Sequence, residues 1–260
     1  MKKNIIFAAL FLTGILAAET IDLTQPVHFS PAKNITAGEN GLLTLKGPVA
    51  TYSTKVFDLD PGKKYTISGD FRQTAGSKPT VLFFGVAPLD KKNRPILTPQ
   101  TQIIRGTDTV LTADVAFGAK EIRVKDAEKW LKGYRFAINT DPSYKDLPNF
   151  SVIHTTMVSK VKEGDDWKVT FALPIKIALK KGTPVRQHSL GGAMYAAAPS
   201  VRIGKDWKTW KGTATGLMTT PGYSYNKFPI GTVKVCLVLY VNLGQKDAVT
   251  EVKNLKFIVE

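Results

Sequence analysis

The sequence predicts an all-β protein, and three observations lead to that fold class. Helical periodicity is nearly absent, short runs rich in Val, Ile, Thr, Phe and Tyr recur, and clusters of Gly, Pro, Asn and Asp separate those runs. Two segments far apart in the chain, Tyr52 to Gln73 and Trp207 to Val259, indicate the two ends of one β-sandwich. The stretch between them indicates a different unit.

Nine segments have the clearest strand character. They are Leu42 to Lys46, Thr51 to Phe57, Lys64 to Arg72, Thr80 to Ala87, Val110 to Val115, Trp167 to Leu173, Thr209 to Leu217, Val233 to Asn242 and Val249 to Val259. In the third, apolar residues alternate with polar ones after an Asp-Pro-Gly turn, which predicts a half-buried strand. Only Asp126 to Leu131 suggests a helical turn.

The first residues have the pattern of a secretory signal peptide. Two lysines precede an apolar run from Ile5 to Leu16, and small residues follow it, so we expect a signal peptide over residues 1–18 with cleavage near Ala18. The run is shorter than the roughly 20 residues that span a membrane. We therefore expect a secreted, periplasmic or extracellular bacterial protein without a membrane span.

The single cysteine and the net charge limit which bonds and which partners are possible. Cys236 lies in an apolar strand, where a free thiol is most often a small buried hydrophobe, and no intramolecular disulfide can form. The formal net charge is +15, which favours anionic partners such as acidic polysaccharides. Specific nucleic-acid binding is not expected, because the strand Lys64 to Arg72 places its aromatic residues on the face predicted to be buried.

Several of these segments resemble a known family. Tyr52 to Phe57, the Asp60-Pro61-Gly62 turn and Tyr65 to Arg72 resemble the early strands of carbohydrate-binding jelly rolls of the galactose-binding-like type. Asp206 to Gly212, Val233 to Asn242 and Val252 to Phe257 resemble that family's later strands. The resemblance implies a jelly-roll β-sandwich with a binding function. Lys253 stands where many relatives carry Asp, a departure that weakens an inherited calcium site.

The middle of the chain resembles small β-barrels that occur as insertions in extracellular bacterial and phage proteins. The matching motifs are Val124 to Ala127, Lys132 to Asn139, Ser151 to His154, Trp167 to Phe171 and Lys181 to Arg186. The sequence therefore predicts a jelly-roll β-sandwich, formed by residues 19–118 and 190–260, that is interrupted by a small β-barrel insertion at residues 119–189.

One cluster could perform catalysis. Arg186 and His188, with Tyr195 downstream, are the residue types that a polysaccharide lyase uses to neutralise a uronate and move a proton. The alternative is that Arg186 and His188 lie on a solvated edge where the inserted barrel ends. The histidines are too far apart for a zinc site, and none lies in a nucleophile-elbow context.

Other residues are candidates for non-catalytic binding. Trp210, Tyr223 and Tyr225 could stack on sugar rings, and Tyr144 and Asp146 lie in a proline-containing polar loop that could bind a sugar or a protein. No cofactor is expected. The metal content stays open, although the pairs Asp58 with Asp60 and Asp165 with Asp166 could hold a structural calcium.

The preferred hypothesis is a secreted, non-catalytic protein that binds a polysaccharide or cell-surface glycan, with acidic polysaccharide favoured by the charge. Two alternatives remain from other classes. One is a structural or adhesion subunit that binds other proteins, and the other is the polysaccharide lyase. The sequence does not indicate an oligomeric state.

Overall fold

The computed structural model describes residues 18–260 and confirms the all-β prediction, with 47% of the chain in strands and 4% in helices. The predicted signal peptide lies outside the described residues apart from its last position, Ala18.

The described chain contains 19 strands. They are β1 (Glu19–Asp22), β2 (Phe29–Ser30), β3 (Ile35–Ala37), β4 (Leu43–Lys46), β5 (Val49–Ser53), β6 (Phe57–Asp58), β7 (Lys64–Ala75), β8 (Val81–Leu89), β9 (Thr109–Val110), β10 (Glu121–Val124), β11 (Arg135–Ile138), β12 (Val152–Ile153), β13 (Met157–Glu163), β14 (Asp166–Phe171), β15 (Pro184–His188), β16 (Met194–Arg202), β17 (Lys208–Thr215), β18 (Lys234–Val241) and β19 (Val249–Val259). The helical elements are two 3₁₀ turns, Pro26–His28 and Glu39–Gly41, and one α-helical turn, α1 (Thr98–Thr101).

Two six-stranded antiparallel sheets form a jelly-roll sandwich. The first sheet has the order β17-β7-β19-β4-β3, with β1 pairing β19, and the second has the order β16-β8-β18-β5-β2, with β6 pairing β18. Followed along the chain, β4, β5, β7, β8, β16, β17, β18 and β19 cross between the sheets in the order of a jelly roll. The chain from residue 90 to residue 193 leaves between β8 and β16.

The sandwich core lies between the two sheets. Alternate residues of β18, from Val235 to Val241, point into it, and so do Phe71 of β7 and Phe84 of β8, whose rings are 5.1 Å apart. Period-two alternation places these apolar side chains on the inner face, where burial of each contributes on the order of 1.5–3 kcal/mol.

The segment between β8 and β16 has its own sheets and its own core. A three-stranded sheet, β10-β14-β13, and a four-stranded sheet, β12-β11-β15-β9, enclose Trp130, Phe136 and Phe171. Leu111 and Val115, which precede the predicted boundary at residue 119, also pack in this second core. The division of the chain at residues 118/119 and 189/190 stays a prediction.

The local predictions differ from the structure at three places. Asp126 to Leu131 forms turns without a helix, and the segment Val110 to Val115 is a strand only in β9, because Leu111 and Val115 each make one isolated bridge. The turn α1, which had not been predicted, begins with Thr98 and Pro99, and a proline in the first turn suits a helix start.

A close backbone approach at Gly85 positions the start of β16. The pairing of β16 with β8 shifts register between Met194 and Ala198, and the shifted backbone crosses directly over Gly85. A Cβ at Gly85 would lie 2.1 Å from the Met194 carbonyl oxygen and 2.4 Å from the Tyr195 Cα. Only glycine leaves room for this crossing.

Gly85→Ala should therefore lower the free energy of unfolding by about 1–3 kcal/mol, the range for overpacking a filled site. Chemical denaturation of the variant measures this loss. Gly204→Ala is the matched control, because a Cβ there meets no atom within 4 Å. Equal stability of the two variants would contradict the close approach.

Candidate functional site

Arg186 is a fully buried cation at the centre of a polar cluster. Its side chain is 0% exposed, its Nη1 atom lies 3.2 Å from Asp108 Oδ1, and its Nη2 atom lies 2.8 Å from Asp146 Oδ2. Nη1 also donates to the Asp141 carbonyl oxygen at 3.1 Å, and the Tyr144 ring lies 5.3 Å from the guanidinium carbon. Two carboxylates thus compensate one buried charge, which is the condition for burying an ion.

His188 is equally buried and is held in one tautomer. Its Nδ1 lies 2.7 Å from the Pro99 carbonyl oxygen, and its Nε2 lies 3.3 Å from Arg186 Nε. A carbonyl only accepts and a guanidinium only donates, so Nδ1 carries the proton and Nε2 accepts. Burial, with a smaller contribution from Arg186, lowers the pKa of His188 to about 4.

The prediction that Arg186 and His188 lie on a solvated edge is therefore wrong. β15 lies between β11 and β9, and both side chains are 0% exposed. Tyr195, the third residue of the lyase hypothesis, lies instead on the sandwich, where its ring contacts Phe83 and Tyr240. Because a polymer cannot reach the buried pair, the geometry does not support lyase chemistry at these three residues.

The predicted binding loop at residues 141–149 is tied to this cluster. Asp146 accepts from the Asp141 backbone N–H and from Asn149 Nδ2 as well as from Arg186, and its side chain is 8% exposed. The carboxylate of Asp146 is therefore engaged in holding the loop. Tyr144 is half-buried, and its ring lies against Arg186.

Trp210 packs mainly inward, which corrects its assignment as a sugar platform. It is half-buried against the sandwich core, because it shares parity on β17 with the buried Ala214. Trp207, of the other parity, lies on the outer side of the first sheet, with Arg72 and Lys253 4.7 Å and 4.4 Å from its ring.

Tyr223 and Tyr225, both predicted as sugar contacts, form a pair. Their ring centroids are 5.0 Å apart and the planes meet at 85°. Tyr225 is 51% exposed, whereas Tyr223 is half-buried. Burial, followed by the neighbouring Tyr225, raises the pKa of Tyr223.

Sequence reasoning missed a row of aromatic side chains on the outer face of the second sheet. This aromatic row consists of Tyr52 on β5, Tyr240 on β18, Phe83 on β8 and Tyr195 on β16, and all four are half-buried. Neighbouring ring centroids are 5.9 Å apart for Tyr52 and Tyr240, 6.1 Å for Tyr240 and Tyr195, and 5.1 Å for Tyr195 and Phe83. The row therefore crosses four neighbouring strands of this sheet, from β5 to the edge strand β16.

The aromatic row lies beside a small apolar cluster that keeps its rings in place. Cys236, Val238 and Ala87 are buried beside it on the same sheet face, and Tyr52, Tyr195 and Tyr240 pack against them. Burial raises the pKa of all three tyrosines, and the Tyr52 and Tyr240 hydroxyls share a hydrogen bond of 2.5 Å. The phenols stay protonated near neutral pH and can donate hydrogen bonds.

Cys236 is part of this support. It is 2% exposed, and burial raises the pKa of its thiol to about 12, so the reactive thiolate does not form near neutral pH.

No group of three or more His, Cys, Asp or Glu side chains in residues 18–260 is placed to hold a metal ion. The predicted calcium pairs are thus not part of such a group. Asp60 instead accepts the Gly62 backbone N–H at 2.9 Å, as its turn requires. Within the same residues, no helix is long and apolar enough to cross a membrane.

Comparisons with known proteins identify no relative from which function can be taken. No protein-family model and no curated protein matches the chain. A structure of the infectious bursal disease virus Gt strain matches with a TM-score of 0.17 at 11% identity, over 98% of this chain and 45% of that chain. VP17, a capsid protein of bacteriophage P23-77, matches with a TM-score of 0.14 at 8% identity, over 94% of this chain and 96% of that one. The chain thus spans less than half the length of the first of these.

Proposed function

We propose that the protein is secreted and binds carbohydrate without catalysis, and that the aromatic row is its sugar-contact surface. The row itself is the observation that carries the proposal, because four half-buried aromatic rings cross one sheet face. An aromatic ring stacks on the apolar face of a pyranose, while a tyrosine hydroxyl remains available to a sugar hydroxyl.

The geometry of the row suits a polymer better than a single sugar. Neighbouring rings are tilted by 86°, 62° and 54°, so the row offers differently oriented faces and edges along its length. Successive sugars of a polysaccharide are rotated relative to one another and can use such differently oriented rings. The exposed Tyr225 contacts Tyr223, which lines one cavity together with Met194, the residue before Tyr195 of the row.

Binding without catalysis is favoured over polysaccharide cleavage. Arg186 and His188 are buried, and the low pKa of His188 leaves it a neutral hydrogen-bonding group within a folded core. Secretion fits a carbohydrate ligand outside the cell, and the proposal takes it from the signal-peptide pattern in residues 1–18.

Tyr195→Ala should weaken binding to a retained polysaccharide about tenfold, because the centre of the row loses one stacking ring. Affinity electrophoresis or calorimetry measures the change. Tyr225→Ala, at an exposed position that the fold does not need, should weaken binding by a smaller factor. The matched control is Phe117→Ala, since Phe117 is 72% exposed in the segment between β8 and β16.

If Tyr195→Ala and Tyr225→Ala both bind like the control, the aromatic row is not the sugar-contact surface. The variant Tyr195→Phe keeps the ring and its packing, so it separates a loss of stacking from a loss of the hydroxyl.

A further inference from the structure

The loops at one end of the sandwich carry a concentration of positive charge. The insertion leaves from the end where β8 finishes and β16 begins, and the opposite end is formed by the loops at residues 31–34, 47–48, 76–80, 203–207 and 242–248. Six exposed cations lie in these loops or at the adjoining strand ends. We call them the basic end; they are Lys33, Lys46, Lys78, Arg202, Lys205 and Lys246.

The six cations of the basic end line three neighbouring grooves. Lys33, Lys46 and Lys246 line the first, of about 950 Å³. Lys78 lines both of the others, together with Arg202 in one of about 800 Å³ and with Lys205 in one of about 720 Å³. The first two grooves meet along the chain, because Gln245 lines one and its successor Lys246 the other.

These cations form no salt bridges in the part of the chain that the structure describes. No Asp or Glu lines any of the three grooves, and none of the six cations forms a salt bridge. Two carboxylates, Asp206 and Asp247, lie in the same loops. Asp247 accepts from the Ser77 backbone N–H at 2.9 Å, and this hydrogen bond, with a smaller contribution from Lys78, lowers the pKa of its carboxyl. Six cations against these two carboxylates leave a surplus of positive charge, which favours an anionic ligand.

The basic end adjoins the aromatic row. Arg202 pairs with Val81 at the start of β8, and Val81 precedes the row residue Phe83 by two positions. Two residues of a strand span about 7 Å, less than two sugar units of an extended polymer. One ligand chain can therefore contact the row and the groove of Lys78 and Arg202 together.

From this arrangement we infer that the ligand is an acidic polysaccharide, and that the basic end binds its carboxylate or sulfate groups while the aromatic row contacts its rings. The inference rests on the proposed function and adds the ligand class and a second contact surface. The charge is local to the site, so it selects acidic polymers and is not only a general property of a basic protein.

The test uses one polymer backbone in two charge states, polygalacturonate and its highly methyl-esterified form. The full-length protein should bind polygalacturonate at least about tenfold more tightly than the ester at low salt, and the difference should shrink as salt screens the charges. The triple variant Lys78→Gln, Arg202→Gln and Lys205→Gln, in the two grooves that Lys78 lines, should lose most of this preference and keep its affinity for the ester.

The matched control is Lys132→Gln, Lys176→Gln and Lys181→Gln, which removes the same charge from exposed positions on the insertion. Equal affinity of the wild type for both polymers, or an equal loss in both triple variants, would overturn the inference while the proposed function stands. Loss of preference in the groove variant together with unchanged binding by Tyr195→Ala and Tyr225→Ala would instead contradict the proposed function. Binding to neither polymer contradicts both.

Discussion

Replacement of Arg186 by methionine should lower the free energy of unfolding by about 3–5 kcal/mol, because it leaves buried carboxylates without their cation. Asp146 is 8% exposed and Asp108 is 26% exposed, and both face a guanidinium that is 0% exposed. The same side chain holds the Asp141 carbonyl, so the loop at residues 141–149 should also become more mobile. Denaturant unfolding measures the first effect and amide hydrogen exchange the second.

Two further variants test whether the burial of the charges causes the loss of stability in Arg186→Met. Arg123 lies 2.7 Å from Glu163, close to the 2.8 Å between Arg186 and Asp146, but its ion pair is exposed. Arg123→Met should therefore lower the free energy of unfolding by no more than about 1 kcal/mol. Combining Arg186→Met with Asp108→Asn and Asp146→Asn should restore part of the lost stability, because no unpaired charge remains. A loss in Arg186→Met no larger than in Arg123→Met would contradict this account of the cluster.

Acidification should destabilise the protein through His188. Its pKa is about 4 in the folded protein and about 6.5 in an unfolded chain, so the unfolded state takes up a proton first as the pH falls. The contribution of His188 to stability is complete above its pKa in the unfolded chain. It falls between about pH 6.5 and about pH 4, and it changes no further below the pKa in the folded protein. The full loss is on the order of 3 kcal/mol.

His188→Gln isolates this contribution. A glutamine side chain can donate to the Pro99 carbonyl and accept from Arg186 without titrating. The fall in unfolding free energy between about pH 7 and about pH 4 should be smaller in this variant than in the wild type by about 3 kcal/mol. His154→Gln, at an exposed position, should behave like the wild type. Parallel pH profiles of wild type and His188→Gln would contradict the assignment.

The strands were predicted best where alternation and turn signals agree. Val249–Val259 has the predicted bounds, and Lys64 to Arg72 lies within β7, because the Asp-Pro-Gly turn fixes its start and one apolar parity faces the core. The segment containing Cys236 was predicted as a strand, but both parities of β18 are apolar. Pattern alone could not show that Tyr240 faces outward.

The candidate site depends on contacts that sequence separation hides. Arg186 meets carboxylates that lie 78 and 40 positions away, and β15 is buried along nearly its whole length, so no alternation marked its side chains as inward. The aromatic row combines residues from four strands, with Tyr52 and Tyr240 188 positions apart. Its signal was weak: single tyrosines in predicted strands become a surface only once the jelly-roll order makes those strands neighbours.

The most direct test of the central claim is a glycan array with uronate, sulfated and neutral polysaccharides, read at about 50 mM and about 300 mM salt. We expect the wild type to retain at least one acidic polysaccharide at the higher salt, more weakly than at the lower, and Tyr195→Ala to lose that retained binding. Absence of binding to every glycan, or binding that vanishes at the higher salt and is unchanged in Tyr195→Ala, would contradict a carbohydrate site and favour a structural or adhesion subunit.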